Sequence, residues 1–262
     1  MKEDMYMKIG FIGIGNMAKA IINGIEDKDS IIISSRSNVE QRAKELSVNY
    51  ANNNIECAQQ ADIIFLCVKP EQFKEVLDEI NEYITYKHVV SIAAKLTIND
   101  IKEMASTNKI IRVMPNLNVA IKEGTCAICK DNEVSETEFE VVKSIFENLG
   151  DLEEISETLF PAFIGIAGSA PAFIFSFMEG LIKEALLEGM NPEQALEIVR
   201  STMRGSAEYL SQSKSSPQDL IEKVCSPGGT TIEGINSLNE DHFQTIIAKA
   251  VRKTINKDKG II

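Results

Sequence analysis

Two short glycine-rich stretches hold residue types suited to binding anions. The first, Gly13-Ile14-Gly15-Asn16-Met17-Ala18, follows an apolar run and precedes apolar residues at helical spacing. In a strand–turn–helix setting, Gly13 permits the sharp turn, Gly15 lets a pyrophosphate approach the backbone, and Ala18 allows close helix–strand packing. That chemistry is dinucleotide binding, with Asn16 and Met17 opening the helix beside the phosphates. The second, Ser226-Pro227-Gly228-Gly229-Thr230-Thr231, offers hydroxyls and free backbone N–H groups where a helix can start, as a small anionic substrate requires. In this order the two stretches point to a nicotinamide-dependent reductase whose substrate sits on a second, helical domain.

The end of the second strand selects the cofactor. NAD sites usually place Asp or Glu there, about 20 residues past the glycines, to hold the ribose 2′-hydroxyl. Here the position offers Ser35, Arg36 and Ser37. A guanidinium and two hydroxyls suit the 2′-phosphate of NADP, so NADPH is expected to be preferred over NADH.

The elements that must position these residues follow from apolar patterning. Strands are expected at 7–12, 31–33, 62–68, 88–93, 110–115, 124–128 and 151–156, with helices at 16–25, 39–46, 71–84 and 136–149, the last capped by Gly150. Strands alternating with helices imply a parallel sheet covered on both faces. Beyond Ser156 the pattern is helical only, with Asn191-Pro192-Glu193-Gln194 and Ser216-Pro217-Gln218-Asp219 as helix starts. The expected fold is therefore α/β: a Rossmann-type NAD(P)-binding domain at 1–156, followed by an all-α domain at 157–262.

Composition narrows the class. A chain of 262 residues with 44% apolar and 25% charged content is ordinary for a soluble globular protein. Its net charge of −12 argues against nonspecific nucleic-acid binding. Five cysteines, an odd number, imply a reducing cytoplasm and no disulfide framework. Cys126-Ala-Ile-Cys129 has the CxxC spacing but no second Cys/His pair, so it is read as two cysteines in a strand, and no metal is expected. The acidic N-terminus lacks the apolar region of a secretory signal. Residues 159–178 carry no charge and approach the length of a membrane span, but Pro161, Gly165, Gly168 and Pro171 break them up. A buried helix shared with a partner subunit is expected there, not a span.

From about Met7 to Arg252 the chain resembles the pyrroline-5-carboxylate reductase family. The resemblance is carried by Gly10-Phe-Ile-Gly-Ile-Gly-Asn-Met-Ala18, Cys67-Val-Lys-Pro70, Ser91-Ile-Ala-Ala94, Arg112-Val-Met-Pro-Asn116, Gly168-Ser-Ala-Pro-Ala172 and Ser226-Pro-Gly-Gly-Thr-Thr231. It implies a Rossmann domain and a helical domain through which subunits interlock as homodimers or larger homo-oligomers. It also implies reduction of L-pyrroline-5-carboxylate to L-proline with NADPH or NADH, the last step of proline biosynthesis. By the resemblance, Thr231 contacts the ring nitrogen, while Ser226 and the backbone around Gly228, Gly229 and Thr230 hold the carboxylate. Asn54 falls near the adenosine end. Val68, Lys69 and Pro70 border adenine and ribose, and Ala93 and Asn116 lie toward the nicotinamide. Neither His88 nor His242 falls in a matching motif, and both are read as structural or exposed.

The chain also departs from the family pattern. Leu117-Asn118 stands where Thr-Pro is usual, Lys95 where Gly is usual, and Ala170 where Gly is usual. Lys95 is the sharpest of these, because a positive φ is costly for any residue with a Cβ. A reductase of another small cyclic imine or keto acid, or a non-catalytic dinucleotide-binding paralogue, therefore remains open at this point.

Overall fold

The computed structural model describes residues 7–262. The first half alternates strand and helix: β1 Ile9–Ile12, α1 Asn16–Gly24, β2 Ile31–Ser34, α2 Val39–Leu46, β3 Asn49–Tyr50, α3 Asn54–Gln60 and β4 Ile63–Leu66. It continues with α4 Phe73–Ile84, β5 His88–Ser91, α5 Ile98–Lys102, β6 Ile110–Met114, β7 Gly124–Lys130, α6 Glu136–Glu147 and β8 Gly150–Glu154.

The eight strands form one sheet in the order β3-β2-β1-β4-β5-β6-β7-β8. All neighbours are parallel except β6 and β7, which pair antiparallel. The sheet is thus parallel apart from that one reversal. β1 lies between β2 and β4, with Ile9 opposite both Ile31 and Ile63. Chain order reverses there, so the glycine turn after β1 occupies the topological switch point where open α/β sheets bind ligands.

Continuous apolar runs are what a strand buried on both faces needs. Ile9, Phe11, Ile31, Ile33, Ile63 and Phe65 face one apolar layer with Ala18, Ile21 and Ile22 of α1 and Phe139 and Phe146 of α6. Ile12, Ile32, Ile64 and Leu66 face the other, with Phe73, Leu77 and Ile80 of α4. Phe11 stacks on Phe65 at 4.6 Å between ring centroids. Burying side chains of this size contributes about 1.5–3 kcal/mol each. Cys126 and Cys129 lie three positions apart on β7 and face opposite layers. Burial pushes each thiol up to about 12. A strand of period two cannot bring them together, so they are core residues, as the sequence suggested.

Several details differ from the sequence expectation. The short edge strand β3 and the one-turn helix α5, whose Thr97 cap is closed reciprocally by Asp100, carry weak apolar patterning. Helix α6 stops at Glu147, and Gly150 opens β8 instead of capping the helix. Its φ is +135°, and a Cβ there would lie 2.1 Å from the Gly124 carbonyl oxygen, so β7 and β8 can approach only through glycine.

Beyond β8 the chain is helical: α7 Phe160–Phe163, a π turn at Ile164–Gly168, α8 Ala170–Leu187, α9 Pro192–Gln212, α10 Pro217–Val224, α11 Thr230–Glu240 and α12 Phe243–Asp258. Asn191 Oδ1 accepts from the Glu193 and Gln194 N–H groups at the start of α9. Ser216 and Asp219 close a reciprocal box at the start of α10. The last strand ends at Glu154 and helical turns begin at Glu157. By packing, the described residues divide into 7–169 with Thr254–Ile262, and Ala170–Lys253. Residues 160–164 stay with the first unit because Phe160, Phe163 and Ile164 pack into the layer under the sheet. The charge-free stretch at 159–178 is therefore not one helix. Within α8, Ile174, Phe175, Phe177 and Leu181 remain 38–53% exposed in the single chain. Counted together with the π turn, the helical run Glu157–Leu187 contains an 18-residue window apolar enough to cross a membrane by length and composition alone.

Candidate active site

The turn that the sequence predicts to cradle a nucleotide lies where β1 hands over to α1. Gly13 has φ +90°, and a Cβ on it would lie 2.7 Å from Val68 Cγ1 and 3.1 Å from the Cys67 carbonyl. The turn thus packs directly on the Cys67-Val68 segment after β4. At Gly15, the N-cap of α1, a Cβ would meet nothing within 4 Å. The space over Gly15 is open, the α1 N-terminus has no side-chain cap, and its first turn holds no acidic residue. Those are the features an incoming pyrophosphate needs: bare N–H donors, a favourable helix dipole and no carboxylate. The residues present fit a dinucleotide. Arg42 of α2, which the sequence reading did not single out, donates from Nη1 to the Ile14 carbonyl and so fixes the middle of the turn.

A second polar cluster gathers at the close of β2, where the sequence predicts the adenosine end of the cofactor. Ser34 Oγ donates to Asn54 Oδ1 at 2.7 Å, and Asn54 Nδ2 donates to Glu79 Oε2 at 2.7 Å. Ser35 Oγ donates to the Ser37 carbonyl at 3.1 Å, bending the loop that carries Arg36. Arg36 Nη2 pairs with Glu75 Oε2 at 2.8 Å. Both carboxylates come from α4 and lie one turn apart. Sequence reasoning saw no carboxylate at this point because it looked only along β2. Lys69 and Pro70 follow β4 at the N-terminal side of α4, where Gln72 Oε1 accepts from the Lys69 N–H at 3.3 Å.

Asn116 is buried, and both ends of its amide are hydrogen-bonded. Its Oδ1 accepts from the Asn118 and Thr125 N–H groups at 3.1 and 3.2 Å, and its Nδ2 donates to the Ala167 carbonyl at 3.3 Å. It therefore ties the end of β6 to β7 and to the π turn. The Asn118 N–H is one that a proline at this position could not supply, so the departure from Thr-Pro adds a bond. Ala93 is buried, and its N–H donates to Ser91 Oγ at 3.3 Å. Beside it Lys95 is exposed with φ +68°, the left-handed conformation that a usual glycine would take without strain. Arg112 is 3% exposed, lies 4.4 Å above the Phe160 ring and pairs with Glu157 Oε1 at 3.1 Å, bracing β6 against α7.

The second glycine-rich stretch joins α10 to α11. Gly228 has φ +72°, and a Cβ on Gly229 would lie 2.5 Å from Ser226 Oγ. The Gly229 N–H donates to the Ser226 carbonyl at 3.0 Å, folding Ser226 under the start of the helix. Gly229 is the N-cap of α11 and has no side chain to occupy the first N–H groups. Thr230 and Thr231 open the helix, and Thr231 lines an apolar cavity of about 940 Å³ with Phe177, Tyr209 and Leu220 among its walls. Ala170 begins α8, where Ala in place of Gly fits a helical backbone. His88 is buried at the start of β5, 3.1 Å from Glu138, and His242 is exposed between α11 and α12.

Residues 157–261 match the family model for pyrroline-5-carboxylate reductase dimerisation. Residues 8–95 match the model described as NADP oxidoreductase, coenzyme F420-dependent. The pyrroline-5-carboxylate reductase of Aquifex aeolicus is 36% identical over 97% of both chains. Pyrroline-5-carboxylate reductase 2 of Bacillus subtilis is 34% identical over 97% of this chain and 95% of its own length. Among solved structures, the Streptococcus pyogenes enzyme superposes with a TM-score of 0.91 at 34% identity, covering 97% of this chain and 98% of that one. The Plasmodium falciparum enzyme with NADP bound gives a TM-score of 0.89 at 32% identity over 97% of each chain. With relatives this similar spanning both glycine-rich sites and all the helices between them, the chain belongs to the pyrroline-5-carboxylate reductase family.

Proposed function

We propose that this protein reduces L-pyrroline-5-carboxylate to L-proline, using NADPH in preference to NADH, as the last step of proline biosynthesis. The observation that carries the substrate reading is the uncapped N-terminus of α11, with Thr230 and Thr231 following a glycine pair. The substrate is a small ring bearing a carboxylate next to a protonated imine. Backbone N–H groups around Gly228, Gly229 and Thr230 hold the carboxylate against the helix dipole, with Ser226 adding a hydroxyl. Thr231 Oγ accepts from the iminium N–H and orients the ring. A protonated imine is already electrophilic, so the site supplies position and a hydrogen-bond partner, not a strong acid. When bound, the nicotinamide cofactor supplies the hydride that adds to the imine carbon. Gly13, Gly15, Asn16 and Met17 seat the pyrophosphate. Ser35, Arg36, Ser37 and Asn54 take the adenosine ribose and its 2′-phosphate. Val68, Lys69 and Pro70 border that end, and Ala93 and Asn116 shape the nicotinamide end.

The protein works as a homodimer or larger homo-oligomer through its C-terminal helices in the cytoplasm. Exposed apolar residues of α8 and the apolar cavity beside Thr231 support a second copy as the covering surface, and the five free cysteines support a reducing compartment. Replacement of Thr231 tests the substrate assignment. Thr231→Ala should lower kcat about 10- to 100-fold for loss of a bond to a charged group, with NADPH affinity nearly intact. Thr231→Ser should recover most of the loss. Full activity in the alanine variant would remove the assigned role.

A further inference from the structure

The adenosine end of the cradle carries more negative charge than its own loop suggests. Helix α4 brings Glu75 to Arg36 and Glu79 to Asn54, at 2.8 and 2.7 Å, so the one guanidinium of this loop is paired with a carboxylate and a second carboxylate is bonded to the neighbouring amide. The Arg36 and Glu75 side chains are 64% and 62% exposed, and such a pair contributes little to folding. It is therefore free to exchange partners.

Consider what each nucleotide meets there. A 2′-phosphate recruits Arg36 through charge-assisted bonds and must displace or share it with Glu75, whose carboxylate then stands beside a dianion. A 2′-hydroxyl has no such conflict and can donate to a carboxylate, which is how acidic residues at this position favour NAD.

We propose that Glu75 is a specificity-determining residue that narrows the preference for NADPH by holding Arg36 in competition with the 2′-phosphate. This rests on the assignment of the β2 end as the adenosine site. It makes the chain a reductase able to draw on both nucleotides, with the ratio set from α4 and not from the strand that bears Arg36.

Calorimetric titration of the purified protein with NADPH, NADH, 2′,5′-ADP and 5′-AMP tests it without turnover. Glu75→Gln should tighten NADPH and 2′,5′-ADP about three- to tenfold, a modest gain because the pair is solvent-exposed, and leave NADH and 5′-AMP within about twofold. In an Arg36→Ala background the same change should give less than about twofold, since no guanidinium remains to compete for. Glu79→Gln, which removes equal charge without freeing Arg36, should tighten NADPH and 2′,5′-ADP by less than about twofold. Unchanged 2′,5′-ADP affinity in Glu75→Gln, or an equal gain for 5′-AMP, would overturn the proposal. So would a full gain in the Arg36→Ala background. Failure of the wild-type protein to bind any of the four would instead overturn the cofactor-site assignment beneath it.

Discussion

Two glycines two residues apart should fail in opposite ways when given a methyl group. Gly13→Ala places a Cβ 2.7 Å from Val68 Cγ1 and 3.1 Å from the Cys67 carbonyl, on a backbone at φ +90°. The positive φ costs about 1–2 kcal/mol for an L residue, and forcing the packed turn apart adds about 1–3 kcal/mol. A loss of about 2–5 kcal/mol follows, a large share of the stability of an ordinary domain. Gly15→Ala meets nothing within 4 Å and needs no unusual φ, so the fold should lose less than about 1 kcal/mol at this helix cap. Its methyl group enters the open space to which the pyrophosphate is assigned. Displacing one bond to a charged phosphate costs about 1.5–3 kcal/mol, or about a 10- to 100-fold rise in the NADPH dissociation constant. Urea unfolding gives the stabilities, and titration of NADPH fluorescence gives the affinities. Gly15→Ala binding NADPH as tightly as wild type would refute the placement of the pyrophosphate. Gly13→Ala of wild-type stability would refute the account of the turn.

Three further outcomes follow from individual side chains. Lys95→Gly relieves a lysine held at φ +68° and should stabilise by about 0.5–1 kcal/mol in urea unfolding; a loss instead would mean the lysine makes a contact worth more than its strain. The Lys109 ammonium, with help from Ser135 and His88, holds the Glu138 carboxyl at about 2, below its unfolded value. Its stabilisation is present above about pH 4.3 and is lost as pH falls toward 2, so after discounting for solvent screening Glu138→Gln should cost about 1–2 kcal/mol at pH 7 and almost nothing near pH 2. A cost independent of pH across that window would contradict the ion-pair account. Disruption of the α8 surface by Phe175→Glu should shift the mass seen by light scattering toward a single chain, and an unchanged mass would exclude that face from the interface.

The sequence was legible where local chemistry decides structure. Apolar runs marked the buried central strands, and Gly13 and Gly15 marked the switch-point turn because a sharp turn and an open approach each need glycine. The Ser226 to Thr231 stretch marked the start of α11 for the same reason. The concern over Lys95 also had a local cause, and its positive φ is there in the structure. What stayed hidden depends on approach between distant segments. Glu75 and Glu79 read along the chain as ordinary exposed acids of an amphipathic helix; only the path of α4 past β2 brings them to Arg36 and Asn54. Arg42 likewise reads as a surface cation until α2 folds back over Ile14. The π turn has no pattern of its own, since one extra residue in a helix is detected by the carbonyl that Asn116 comes to satisfy.

The most direct measurement is the loss of reduced-nicotinamide absorbance when the purified protein is mixed with L-pyrroline-5-carboxylate, with proline quantified in the same sample. The account predicts rapid oxidation of NADPH, slower oxidation of NADH, and one proline formed per nucleotide consumed. NADPH binding without proline formation would contradict it and leave a protein of this family that kept the cradle and lost the reaction.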